Sequence, residues 1–417
     1  MKNIGFYGAT GSNDFGDYAM MVHNILQIIH VEEEAHIYIF SPNKYNTLHN
    51  LCENMDWSTI KKHITIVDEL RWSYKNKYLR FLEKVLRLKH IEVLQKRNFE
   101  KLLKGDLKQV PFDFIELIKN IDVLIFNGGG YVQHNWFDKN IIFLASCVIA
   151  KQHGVKVYFL GNSIGPMFKY NYYLEKTLPF IDKILLRDGV NYSKQVLDSY
   201  NFKNYIIGTD DLLFVNDYYD VKPELSEYVV IELMFYIQKA KKGDRFILNE
   251  LVDFINYISK NKNVLLINFD CDDISATQYM RFLMDNVNDK SKIFIKENVD
   301  NIFEVFGYYK YAVFSLSFKY HPIILSLGSN VPCIGIICDT DGYYESKMKG
   351  AFDSSGLNWN EKVIHIDELN SKTLIHLYDI NISKREEYLI KERSRLKSLY
   401  NNYLEEVLHS SDYTELN

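Results

Sequence analysis

Short, apolar, β-branched runs recur along this chain; most end in a glycine or an acidic residue, and between them apolar residues return every three or four positions. Unbroken apolar runs are strands covered on both faces, and intervening helices are what parallel strands need to return to the same edge. The pattern therefore specifies a parallel α/β sheet. In the first half it predicts strands near 3–7, 35–40, 63–67, 122–126, 155–160, 182–186 and 204–207. A second series follows near 228–234, 263–267, 292–295, 311–315, 332–337 and 362–366. Two similar halves are expected, 1–215 and 216–367, with the seam in the loop after Asp210-Asp211 and a helical tail over 368–417 placed to pack back across the first half. At 417 residues and 47% hydrophobic content, the chain can build two real cores.

A formal charge of -5 and a pI near 6.2 give no global basic field, which disfavours nucleic acid as the main partner. The five cysteines, at 52, 147, 271, 333 and 338, are scattered with no C-x-x-C and no histidine at ligand spacing. They read as reduced thiols, neither a disulfide framework nor a zinc site, and no metal is required by the residues present. The stretch 74–104 carries surplus Lys and Arg at helical spacing, where a solvated helix face is favoured over one meeting a membrane or an anionic surface. Lys2 leads straight into the first expected strand and no apolar run approaches membrane-spanning length, so a cytoplasmic protein is expected.

Ligands of open α/β sheets bind at the carboxyl ends of the strands, which singles out a few segments. After the first strand, a glycine-rich turn containing Asn13, Gly16 and Asp17 opens a helix, and unpaired N–H groups at such an end suit an anion or a sugar. Gly5, Gly8 and Gly11 lack the dinucleotide spacing. After 122–126, Gly128-Gly129-Gly130 strips away every side chain, so backbone amides could wrap an anion. Ser163 can donate to a substrate oxygen. Arg187, beside Asp188, can clamp a carboxylate or phosphate, with a purely structural Arg–Asp pair as the equal alternative. Lys319 and His321 stand two apart at a helix entrance, a cation and a titratable imidazole facing one cleft, and Lys347 supplies another cation downstream. No H-E-x-x-H, G-x-S-x-G, P-loop or EF-hand pattern is present.

Taken in order, these segments resemble the polysaccharide pyruvyl transferase family. The likeness rests on Asn13-x-x-Gly16-Asp17-x-Ala19, on Asp122 through Gly130, on Ser163-Ile164-Gly165-Pro166, and on Leu186-Arg187-Asp188 with Ser193 and Leu197. It continues through Lys319-Tyr320-His321 with Gly328 and Val331-Pro332 to Tyr344 and Lys347. The resemblance implies two Rossmann-like domains around a cleft, similar to the GT-B glycosyltransferases, with the acceptor on the first domain and the donor on the second. It implies transfer of a pyruvyl ketal from phosphoenolpyruvate to a sugar of a cell-surface polysaccharide or its lipid-linked precursor, with peripheral association at the inner membrane face for the latter, and no cofactor. Lys319 and Arg187 would neutralise phosphate and carboxylate, His321 would be the acid or base with a pKa near working pH, and Asp17 would orient or deprotonate an acceptor hydroxyl. Asn13, Gly16, Gly128, Gly129, Gly130, Ser163, Tyr344 and Lys347 would bind the substrates. Lys319 stands where the family usually has Arg, Tyr18 where it usually has Glu, and Val229–Leu233 lacks an arginine often found there. Lysine keeps the charge but loses the planar fork. A GT-B glycosyltransferase using a nucleotide sugar, and a catalytically silent glycan-binding protein, stand as the alternatives.

Overall fold

The computed structural model describes residues 1–72, 90–188, 192–270, 272–338 and 342–409. Of the basic stretch at 74–104, residues 74–89 lie outside this set, as do Cys271 and the tail beyond 409. The first sheet contains β1 (Asn3–Tyr7), β2 (His36–Ser41), β3 (Ile64–Asp68), β4 (Val123–Phe126), β5 (Gly129–Val132), β6 (Lys156–Ile164), β7 (Lys183–Leu186) and β8 (Tyr205–Ile207). Its order is β3-β2-β1-β4-β6-β7-β8, with β5 alongside the far end of β6, and its pairings are parallel. The second sheet contains β9 (Tyr228–Leu233), β10 (Asn263–Asn268), β11 (Ile293–Lys296), β12 (Phe314–Ser317), β13 (Cys333–Ile337) and β14 (Val363–His365), ordered β11-β10-β9-β12-β13-β14 and again parallel. Both sheets are doubly wound. The chain builds outward from a central strand and then crosses back, leaving a crevice between β1 and β4 in one and between β9 and β12 in the other.

The central strands are buried along their whole length because they are apolar on both faces. Val123–Phe126 and Tyr228–Leu233 have no exposed position. Phe6 lies opposite Ile39 and Ile125, and Ile231 opposite Leu266 and Leu316. One strand departs from the sequence reading: the triple-glycine segment forms β5 rather than a turn leading straight into a helix. Gly129 adopts φ +155, a conformation that L side chains rarely take, and this redirects the chain so that Gly129 pairs with Asn162 and Val132 with Ile164.

The helix α1 (Phe15–Val31) joins the two sheets. Asp14 caps it, its Oδ1 accepting from the Gly16 amide at 3.1 Å. An apolar cluster runs from Ile4 and Phe6 through Phe15 and Tyr18 of α1 to Phe269, Phe306 and Tyr309 of the second domain. The rings of Phe15 and Phe269 lie 4.4 Å apart. Burial of Phe15 alone contributes about 1.5–3 kcal/mol, and part of that is gained only when the domains are together. The last helix, Arg393–His409, crosses back to the first domain. Arg393 Nη1 donates to the Gly328 carbonyl at 2.8 Å, whereas further along Tyr403 donates to the carbonyls of Phe159 and Lys183 at 2.9 and 3.1 Å. Among the described residues no helix is long and apolar enough to cross a membrane.

Candidate active site

The carboxyl ends of the two sheets face each other, and the loops following β1, β4, β7 and β12 meet there. The first turn of α1 reaches the second domain through its backbone: the Phe15 amide donates to the Phe269 carbonyl at 2.8 Å, and Asp14 and Asp270 form an antiparallel bridge. Asn13 belongs to this junction, donating to Asp272 at 2.6 Å and accepting from Asn46 at 2.7 Å. Lys319 closes it from the other side, with Nζ 2.6 Å from Asp14 Oδ2 and 3.9 Å from Asp270. Burial alone would lower the Lys319 pKa, but Asp14, Glu232 and Asp270 together hold the ammonium above its ordinary value. Lys319 and Asn13 are thus already engaged between the domains.

His321 opens the helix Tyr320–Gly328 and lies against α1 where only glycine fits. A Cβ on Gly16 would sit 1.6 Å from His321 Nδ1. On its other side Nε2 lies 3.4 Å from Arg187 Nη1, and because a guanidinium can only donate, this nitrogen presents its lone pair. Asp210 is 3.9 Å from the same atom. Burial, followed by Arg187, Lys347 and Lys319, pushes the imidazole pKa well below its ordinary value. The expected pKa near working pH is therefore replaced by a neutral ring, a proton acceptor.

Arg187, at the end of β7, is wholly buried. Its Nε donates to Ser163 Oγ at 3.0 Å, its Nη1 to Asp210 at 2.8 Å, and its plane lies over the Tyr320 ring at 4.4 Å. Nη2 has no hydrogen-bond partner among the described residues. Ser163, expected to meet a substrate oxygen, accepts from this guanidinium and so orients it. From the helix Tyr343–Ser354 comes Lys347, whose Nζ donates to the Tyr343 hydroxyl at 3.2 Å and lies 5.1, 4.8 and 5.6 Å from the ring centres of Tyr320, Tyr343 and Tyr344. Among the described residues it forms no ion pair. Burial, and then Arg187, brings its pKa down to about 7. The Tyr343 hydroxyl in turn donates to the Gly130 carbonyl at 2.8 Å. A side chain at Gly130 would meet Tyr343, Arg187 Nη2 and Lys347 Nζ at 2.7, 2.9 and 3.2 Å, so this one glycine forms a floor beneath two cations. Asp17, half-buried in the first turn of α1, is close enough to act electrostatically on Lys347 and Tyr343.

The other two glycines face inward. The Gly128 amide donates to Asp211 Oδ2 at 3.1 Å, and Gly129 packs against the Tyr131 ring. One amide of the turn is thus taken by an internal carboxylate. A parallel arrangement exists in the second sheet, where Glu232, at the end of β9, accepts from the amides of Phe318 and Lys319 at 2.8 and 2.9 Å. Burial pushes the Asp211 and Glu232 carboxyls up, each to about 7. Sequence reading missed these acids, together with Asp14, Asp210 and Tyr320, as parts of the site. Glu232 carried a usable signal, since an acid inside Val229-Val230-Ile231-Glu232-Leu233 has no solvent face to turn to. Among the described residues no group of three His, Cys, Asp or Glu side chains is placed to hold a metal ion.

A family model described as polysaccharide pyruvyl transferase matches residues 15–340. Among solved structures the chain is similar to the UDP-GlcNAc 2-epimerase of Methanocaldococcus jannaschii, at 14% identity and a TM-score of 0.53 over 92% of this chain and 93% of that one. It is likewise similar to Anabaena Alr3699/HepE in complex with UDP-glucose, at 10% identity and 0.54 over 98% and 100%, and to the glycotransferase of kitacinnamycin, at 10% and 0.53 over 99% and 98%. These likenesses show a GT-B-like fold. No curated protein sequence matches the chain.

Proposed function

The chain belongs to the polysaccharide pyruvyl transferase family, and from that premise we propose that it transfers a pyruvyl ketal from phosphoenolpyruvate to a sugar of a polysaccharide or of its lipid-linked precursor. The observation carrying this reading is the meeting of Arg187 Nη2 and Lys347 Nζ above Gly130. Among the described residues, one is a buried donor without a partner and the other a buried amine without an ion pair. A small ligand with two anionic ends, a phosphate and a carboxylate, matches two such cations.

In ketal formation a proton adds to the methylene carbon of the donor and one acceptor hydroxyl oxygen bonds to C2. The C2–O bond to phosphate then breaks, and the second hydroxyl closes the ketal. Of the two hydroxyl protons, one balances the proton delivered to carbon and the other leaves with phosphate. Neutral His321 is suited to accept a hydroxyl proton, and an anion bound beside it raises its pKa so that the proton can be passed on. Asp17, close enough to act electrostatically on Lys347 and Tyr343, would orient an acceptor hydroxyl, and Lys319 holds α1 against the second domain so that these groups stay within reach of one another.

Calorimetric binding of phosphoenolpyruvate, with labelled pyruvyl transfer to lipid-linked glycan, tests the proposal against a panel of UDP-, GDP- and CMP-sugars. Donor binding with phosphate release supports it. Binding of a nucleotide sugar without phosphoenolpyruvate moves the chain to the glycosyltransferase reading, and glycan binding without turnover moves it to the silent one. A pH series adds a sharper expectation. Protonated Lys347 binds the anion and its neutral form does not, so donor affinity is expected to fall as pH rises through 7. Lys347→Arg, which stays charged, should flatten that fall, whereas Lys347→Met should weaken binding by roughly ten- to a hundredfold, the worth of one charge-assisted bond. A wild-type affinity that does not decline above pH 7 removes Lys347 from the donor site.

A further inference from the structure

We propose that Asp211, held from the last helix through Asn24 and Tyr400, is the positioning residue that sets the glycine turn and thereby places Gly130 beneath Arg187 and Lys347. Asp211 collects donors from three separate segments of chain. Its Oδ2 accepts from the Gly128 amide at 3.1 Å and from Asn24 Nδ2 at 2.6 Å, and its Oδ1 accepts from the Gly161 amide at 2.9 Å. Both glycines are needed for this approach, because a Cβ on Gly128 or Gly161 would lie 2.2 or 2.6 Å from a carboxylate oxygen. Asp210, one residue earlier, turns the other way, to Arg187. The two adjacent carboxylates therefore fix, respectively, the floor and one of the cations above it.

Asn24, buried on α1, is fully used. Its two amide hydrogens serve Asn127 Oδ1 at 2.7 Å and Asp211, and its Oδ1 accepts from the Tyr400 hydroxyl at 2.6 Å. Continuing from Gly128 to Gly130, the Gly130 carbonyl holds the Tyr343 hydroxyl, which holds Lys347. A path of hydrogen bonds, joined by the backbone from Gly128 to Gly130, thus runs from the last helix to a site cation. Networks of this kind carry coupling that single contacts do not.

The inference rests on the donor-site reading only for its functional readout, so the test has two arms. Asn24→Ala, Tyr400→Phe and Tyr403→Phe are compared by hydrogen exchange across residues 127–133 and by phosphoenolpyruvate binding. Tyr403 is the control: it lies on the same helix and loses hydrogen bonds to the Phe159 and Lys183 carbonyls, but its hydroxyl does not bond to Asn24. Asn24→Ala should speed exchange in the turn and weaken donor binding by roughly tenfold, the effect of one bond to a charged group, and Tyr400→Phe by roughly three- to fivefold. Tyr403→Phe should lower the melting temperature at least as much as Tyr400→Phe while leaving the turn and the donor affinity unchanged. Exchange in the turn that is unmoved by Asn24→Ala, or moved equally by both tyrosine variants, overturns the proposal. Failure of the wild-type protein to bind phosphoenolpyruvate overturns the donor reading instead, and leaves the exchange arm to judge this one.

Discussion

His321→Ala is expected to lower turnover by roughly two to four orders of magnitude, the range for loss of a general acid or base, in a protein that still folds. The ring leaves a cavity between α1 and the second domain, which lowers the melting temperature, but no buried charge is left unpaired, because Arg187 Nη1 keeps its ion pair with Asp210. Gly16→Ala provides a second route to the same loss. The added methyl would lie 1.6 Å from Nδ1, so either the ring rotates out of place or α1 lifts from the second domain. Turnover should fall by at least roughly tenfold although every polar group of the site is retained. Initial rates and melting temperatures of both variants decide the matter. A folded His321→Ala protein with near-normal turnover would exclude His321 from the mechanism, and an unaffected Gly16→Ala would show that the ring need not sit where it does.

Arg187→Met should cost about 3–5 kcal/mol of stability, because it leaves the Asp210 carboxylate buried beside a neutral side chain. It should also abolish donor binding. The two losses separate in the double variant Arg187→Met/Asp210→Asn, where the uncompensated charge is removed. Most of the stability should return, and the affinity for the donor should not. Urea unfolding curves read the first effect and calorimetry the second. If the double variant recovers donor binding along with stability, Arg187 is only a structural ion-pair partner.

The architecture was legible because a parallel sheet buries its strands on both faces. Runs such as Asp122-Val123-Leu124-Ile125-Phe126 and Val229-Val230-Ile231 cannot sit anywhere but in the middle of one, and the expected strands in both halves appear within a few residues of their places. β5 was hidden because glycines carry no strand propensity; the segment pairs only because Gly129 turns it alongside the overlong β6. Arg187 and His321 stood out in the sequence as candidates because cations and imidazoles just beyond strand ends have few apolar explanations, and Lys347 stood out as a further cation downstream. What each one touches did not. Ser163 turned out to orient Arg187, and the Gly128 amide of the glycine turn proved to be held by Asp211, since such pairings depend on residues dozens of positions apart. Burial likewise decides protonation: the same imidazole would titrate near neutrality on a surface but is held neutral among three cations.

Because the first sheet is covered in part by a helix encoded after the second domain, Arg393–His409, the two domains do not become complete in the order in which they are synthesised. All strands of the first sheet leave the ribosome before any of the second, but the surface that receives Tyr400 and Tyr403 stays open until the whole second domain has been made. At roughly 5–20 residues per second, that interval is on the order of ten seconds or more. Throughout it the nascent first half displays an apolar surface whose Phe159 and Lys183 carbonyls have yet to receive the Tyr403 hydroxyl, the kind of surface that chaperones hold. A nonsense mutation or proteolytic cut near residue 390 would therefore do its damage far away in sequence, in the domain translated first.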